Sequence, residues 1–152
     1  MKRPLVLVAL VWVPFVSIFG FASPALADAV GDSHPHVAFH VFSPVLLVGA
    51  LVLARRMLRE AATRSQRVLL RVLLVTVSVA VVGNLVELVA AVRRLAADGW
   101  QSLRTPDVFE GPGLHQVGAN LTIPGLMISM LLVLAFALTA ALQGRRRLEP
   151  AA

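Results

Sequence analysis

The chain has 152 residues, 58% of them hydrophobic and only 14% charged, with a mean hydropathy of +0.83. Soluble domains carry about 25% charged residues, so this composition excludes a water-soluble globular enzyme and a disordered segment. The absence of cysteine excludes disulfide-stapled domains, thiolate metal sites and CxxCH haem attachment.

A net charge of +6 would ordinarily raise nucleic-acid binding, but the distribution points elsewhere. Of 14 basic residues, all but Lys2 are arginine, and they cluster at the ends of apolar runs, as the positive-inside rule requires of membrane spans. Aromatics make up 6% of the chain and tyrosine is absent, so no basic groove with stacking side chains is available for nucleic acid. The bias to Arg, Ala and Val suggests a GC-rich bacterial genome, which places the expected protein in a bacterial plasma (inner) membrane with the lipid bilayer as its first partner.

Residues 1–27 read as a signal peptide: Lys2 and Arg3 precede the apolar stretch Leu5 to Phe21, and Ala25-Leu26-Ala27 offers a small-x-small cleavage pattern. The alternative is an uncleaved first helix, since this stretch is long for a leader. Either way Asp28 falls outside the membrane.

Residues 28–152 then form one three-span membrane domain, with spans at about 37–54, 68–92 and 121–142. A cytoplasmic loop is expected at 55–67 and an outer loop at 93–120. Pro35 suits the first turn of the first span. Arg55, Arg56, Arg59, Arg64, Arg67 and Arg71 stand against a single acid, Glu60, which marks that connection as cytoplasmic. Glu60 and Arg64 are four apart and pair if one helix continues through them. Arg93 and Arg94 compete weakly with that cluster, and the outer loop is formally neutral. Asp98-Gly99, Thr105-Pro106 and Gly111-Pro112-Gly113 punctuate it with turns, and Trp100 suits the headgroup layer. Arg145, Arg146 and Arg147 close the last span on the inside. The fold class is therefore an all-α membrane protein, a cleavable signal peptide followed by a three-helix transmembrane bundle, amino end out and carboxyl end in.

The polar residues of the spans collect at one depth. His34, His36, His40 and His115 all fall on the outer side or in an outermost helical turn. His36 and His40, four apart, share a helix face. Glu87, the sole acid within the three spans, lies roughly 8 Å below the outer end of the second, with Asn84 one turn deeper on the same face. His115 and Asn120 bracket the start of the third. A lone carboxylate in hydrocarbon is costly, roughly 2.5–3.5 kcal/mol for comparable charged groups at mid-membrane, so a histidine, a bound cation, or Arg93 and Arg94 folding back is expected beside Glu87.

Imidazole and carboxylate together suit a divalent transition metal, copper or zinc foremost, and imidazole alone can hold haem. The expected metal set is His36, His40, Glu87 and His115, supported by Asn84, Asn120 and His34. For haem, His40 and His115 are the axial pair. Met127 and Met130, three apart in the third span, offer a soft-metal path below His115. In orientation and span count the chain is similar to the three-helix copper transporters, but it lacks their MxxxM, GxxxG and methionine-rich outer segment, and no family is assigned.

The sequence positions no nucleophile, so binding is expected over catalysis. The remaining readings are an accessory subunit of a larger membrane complex, with small-residue faces such as Ala50/Ala54 and Ala137/Ala141 for helix packing or homo-oligomerisation, and a proton relay through Glu87 and a histidine.

Overall fold

The computed structural model describes residues 2–21, 29, 34–99 and 113–146. Four long helices account for nearly all of them: α1 Lys2–Phe21, α2 His34–Glu60, α3 Arg64–Asp98 and α4 Leu114–Arg146. All four are long and apolar enough to cross a membrane. At 1.5 Å per residue α3 is about 52 Å long, well beyond the roughly 30 Å of a hydrocarbon core. Helix and apolar segment therefore end at different places.

Two differences from the sequence reading follow from local chemistry. The basic connection at 55–67 is mostly helix. Arginine, leucine and alanine are good helix formers, and only Ala61 to Thr63 interrupts them. The break comes from a cap: Thr63 is extended (φ −115°, ψ 157°) and its hydroxyl accepts from the Gln66 amide at 3.2 Å. The Gln66 side chain reaches back to accept from the Ala62 amide at 3.2 Å, a variant of the reciprocal capping box. With the helix interrupted there, Glu60 pairs with Arg3 of α1 at 2.6 Å instead of with Arg64. On the other side, Arg93 to Asp98 and Leu114 to Asn120 are helical, and Gly99 at φ +80° ends α3. Trp100, Arg104, Thr105-Pro106, Asp107, Glu110, Gly111-Pro112, the cleavage pattern at 25–27, Asp28 and Arg147 lie outside the described residues. So do the side chains of His34, Asp98, Arg145 and Arg146.

The second difference is the helix count. The segment read as a leader is a member of the bundle, so the described residues hold four membrane-length helices where three were expected. α1 packs on α2 and α4, α2 on α3, and α3 on α4, the last pair most extensively. Leu7 and Val11 of α1 are fully buried. The Arg3–Glu60 contact and the Phe21–Phe42 ring pair, at 5.4 Å, set α1 antiparallel to α2. Gln66 of α3 donates to Gln143 of α4 at 3.0 Å, and those two are antiparallel as well. The result is an up-down-up-down ring of four helices.

The surface of this bundle is apolar, and its interior combines a hydrophobic core that includes Phe39, Leu47, Leu73 and Val133 with buried polar residues such as Ser43, Asn84, Thr122 and Ser129. Val45, Val75, Leu131 and Leu138 are exposed, as a lipid-facing surface demands. Inside, Gly83, Gly118 and Gly125 bring the α3 and α4 backbones together. A Cβ at Gly83 would meet the Thr122 hydroxyl at 2.5 Å and its amide at 2.6 Å, and one at Gly125 the Ala80 amide at 2.9 Å. Thr76 and Ser129 hydrogen-bond across this same seam at 2.8 Å. Close backbone approach with hydroxyl pairing is how helices adhere in lipid, where no hydrophobic drive acts between them.

Candidate metal centre

At one end of the ring, α2, α3 and α4 each contribute to a single buried cluster. His36 and His40, one turn apart on α2, have ring centroids 4.8 Å apart. His115, in the first turn of α4, stands 5.4 Å from the His36 ring and 6.4 Å from the His40 ring. Glu87 of α3 lies between them: its Oε2 is 3.3 Å from His40 Nε2 and 3.1 Å from His115 Nε2. Its other oxygen, Oε1, accepts from the Thr122 hydroxyl at 2.7 Å. Glu87 and His40 are almost fully buried, whereas His36 and His115 are partly so.

Asn84 determines the chemistry of His40. Its Nδ2 donates to the Ala80 carbonyl at 2.9 Å, which turns Oδ1 toward His40 Nδ1 at 3.2 Å. A carboxamide oxygen only accepts, so His40 Nδ1 carries the hydrogen. A neutral His40 therefore presents the lone pair of Nε2 to the cluster, the tautomer a metal requires. That lone pair faces a carboxylate oxygen at 3.3 Å. Two electron-rich atoms at that separation attract only with a cation between them, either a proton or a metal ion.

The candidate ligand atoms of His36, His40, Glu87 and His115 all lie within 4.8 Å of one another. A tetrahedral ion with bonds of about 2.0–2.1 Å holds its ligands about 3.3 Å apart. The contacts of Glu87 with His40 and His115, at 3.3 and 3.1 Å, already match that spacing.

Of the other residues singled out by sequence, Asn84 contacts the cluster and Asn120 does not. Asn120 is exposed on α4 and accepts from Gln116 at 3.1 Å. From His115 to Asn120 is five residues, about 140° around a helix and about 7.5 Å along it, so the two share no face. Met127 lines a cavity of about 350 Å³ that the four cluster residues share with Phe15, Ile18 and Phe19 of α1 and Ile123 and Leu126 of α4. Met130 packs against the hydrophobic core instead.

Sequence reasoning missed Thr122, Gly118 and the whole α1 wall. The signal for the first two lay in spacing. His115, Gly118 and Thr122 fall at i, i+3 and i+7, one face of a helix. A Cβ on Gly118 would overlap Glu87 Cγ and come within 2.8 Å of the Gly83 carbonyl. Comparison with protein-family models, with curated proteins and with solved structures finds no match to this chain.

Proposed function

We propose that this is a small integral membrane protein that binds one divalent transition metal ion through His36, His40, Glu87 and His115 near the outer face of a bacterial plasma membrane. The observation that carries this reading is the convergence of His40 Nε2 and His115 Nε2 on one buried Glu87 oxygen, at 3.3 and 3.1 Å. Three imidazoles and one carboxylate form a borderline donor set suited to zinc or copper(II). Asn84 behind His40 and Thr122 behind Glu87 supply the outer hydrogen bonds that orient metal ligands.

Haem fits less well. Two axial histidines must sit on opposite faces of a macrocycle, and here Glu87 occupies the space between His40 and His115. Met127 borders the cluster and is available to a softer ion in transit, while Met130 is a turn away in the core.

The membrane arrangement that accompanies this reading keeps α1 as a span. With Lys2, Arg3 and the arginines at the ends of α2 and α4 on the cytoplasmic side, the histidine cluster lies outward. Removing α1 would strip one wall from the cavity at the cluster.

The test is metal analysis of protein purified gently from membranes, wild type beside His36→Ala/His40→Asn, with intact mass recorded on the same samples. The expected result is about one zinc or copper per wild-type chain, less than about a tenth of that in the double variant, and a mass that retains α1. His36→Ala alone, at a partly exposed position, guards against a folding defect at buried His40 and is expected to weaken retention by at least about tenfold, or 1.4 kcal/mol. Equal metal content in all three proteins would sink the reading.

A further inference from the structure

Resting on the metal reading, we propose that the cavity beside the cluster receives a lipid-soluble ligand with one apolar tail and an anionic oxygen head, entering from the bilayer between α1 and α4. The cavity holds about 350 Å³, at the small end of ligand sites, which suits one short chain or ring and excludes a two-tailed lipid. Its lining is divided by chemistry. One end is the His36, His40, Glu87 and His115 cluster, and the rest is hydrocarbon and a thioether. That remainder offers nothing to hold a sugar, a peptide or an ion.

The shape gives the direction of entry. Leu126 at the floor is fully buried, while Phe19 on α1 and Ile123 and Met127 on α4 are 69%, 45% and 49% exposed. These three rim residues lie within stretches apolar enough to cross a membrane, so the opening faces hydrocarbon. A molecule dissolved in the bilayer reaches it without crossing water.

The head group follows from charge. Three neutral imidazoles and one carboxylate leave a divalent ion with a net charge of +1, and an uncompensated charge in hydrocarbon is costly. All four protein ligands border the same cavity, so a further donor can approach the ion from the cavity side. Coordination of such an ion expands from four to five when a further ligand enters. An anionic oxygen supplies both the ligand and the compensating charge, and its tail lies along Phe15, Ile18 and Leu126. No bond is made or broken beyond coordination.

The experiment uses full-length protein in lipid nanodiscs, loaded with cobalt(II) so that coordination is read by visible absorption. Acetohydroxamate and decanohydroxamate carry the same chelating oxygens and differ only in the tail. Decanohydroxamate is expected to half-saturate the spectral change at a concentration about 30-fold lower, because its tail gains the lipid phase and the apolar cavity. Ile123→Trp and Phe19→Trp each enlarge a side chain at the rim, and neither residue belongs to the proposed ligand set. Both are expected to cut that ratio below about threefold and leave the cobalt spectrum intact; the second guards against a folding defect in the first. Equal half-saturation in the wild type, or a ratio unchanged in both variants, overturns the ligand proposal while the metal centre stands. A wild-type protein that retains no cobalt overturns the metal reading and this one with it.

Discussion

Glu87→Gln is expected to lower zinc affinity by at least about 100-fold, or 2.7 kcal/mol, while the bundle stays folded. Glutamine has the shape of glutamate, so its oxygen can still accept from the Thr122 hydroxyl, the contact made at 2.7 Å by Glu87 Oε1. Its NH₂ then points at His40 Nε2 and His115 Nε2, which accept from it as neutral imidazoles. The metal-free network is thereby satisfied without a buried charge, and unfolding free energy should move by less than about 1 kcal/mol. The metal-bound state loses its one anionic ligand and meets an N–H in its place. Titration against a competing chelator, alongside a circular-dichroism melt, separates the two effects. Were Glu87 only a hydrogen-bond acceptor for Thr122, the glutamine variant would bind zinc like the wild type, and that outcome removes Glu87 from the ligand set.

Much of the fold was legible because lipid imposes a crude and readable rule. Long apolar runs closed by arginines can only be helices that satisfy their own backbone, and the runs within α2, α3 and α4 obey it. What composition could not decide was α1. A leader and a span share the same opening, Lys2-Arg3 followed by an apolar stretch, and composition alone does not say whether other helices pack against it. Leu7, Val11 and Pro14, spaced four and three apart, are all buried, and this stripe is what α1 turns toward the other helices. The 55–67 connection was legible only in part. Its arginines marked the connection as cytoplasmic and left open a helix running through Glu60 and Arg64, because such charges set where a helix leaves the membrane and not where it ends. α2 ends at Glu60, and Thr63 starts the next helix by capping it, its hydroxyl accepting from the Gln66 amide.

The cluster was partly legible on similar grounds. His36 and His40 share a face by their spacing, and Glu87 stands out as an acid among apolar residues. Sequence could rank depth along each helix but could not relate the faces of one helix to those of another. For that reason Asn120 was grouped with His115 by depth although it points elsewhere, while Thr122, about 20° from His115 on the helical wheel, was passed over. The α1 residues Phe15, Ile18 and Phe19 carry no chemical mark at all. Only the ring closure of α1 onto α4 makes them walls of the cavity.

The same seam that positions Glu87 makes Gly118→Ala the most informative substitution outside the cluster. An alanine Cβ there overlaps Glu87 Cγ, and its next neighbours are the Gly83 carbonyl at 2.8 Å and the Glu87 amide at 3.0 Å. Neither backbone group can yield, so α4 must move off α3 or Glu87 must swing aside. Either change pulls the carboxylate from His40 and His115. The expected outcome is a loss of about 1–3 kcal/mol of stability, typical of overpacking, together with a fall of about 10–100-fold in zinc affinity, typical of a lost orienting contact. Gly125→Ala separates the two effects. It crowds the Ala80 amide at 2.9 Å and the Thr76 carbonyl at 3.0 Å, but seven residues and about 10 Å farther along α4. It should cost similar stability while the folded fraction binds zinc within about threefold of wild type, since independent sites more than 7–10 Å apart rarely couple. Gly144→Ala, with nothing within 4 Å, should be neutral or gain about 0.5–1 kcal/mol from helix propensity. Chelator competition and thermal melts on the three variants read out both quantities. If Gly118→Ala and Gly125→Ala lower zinc affinity equally, the seam acts only through overall stability and Gly118 has no special hold on Glu87.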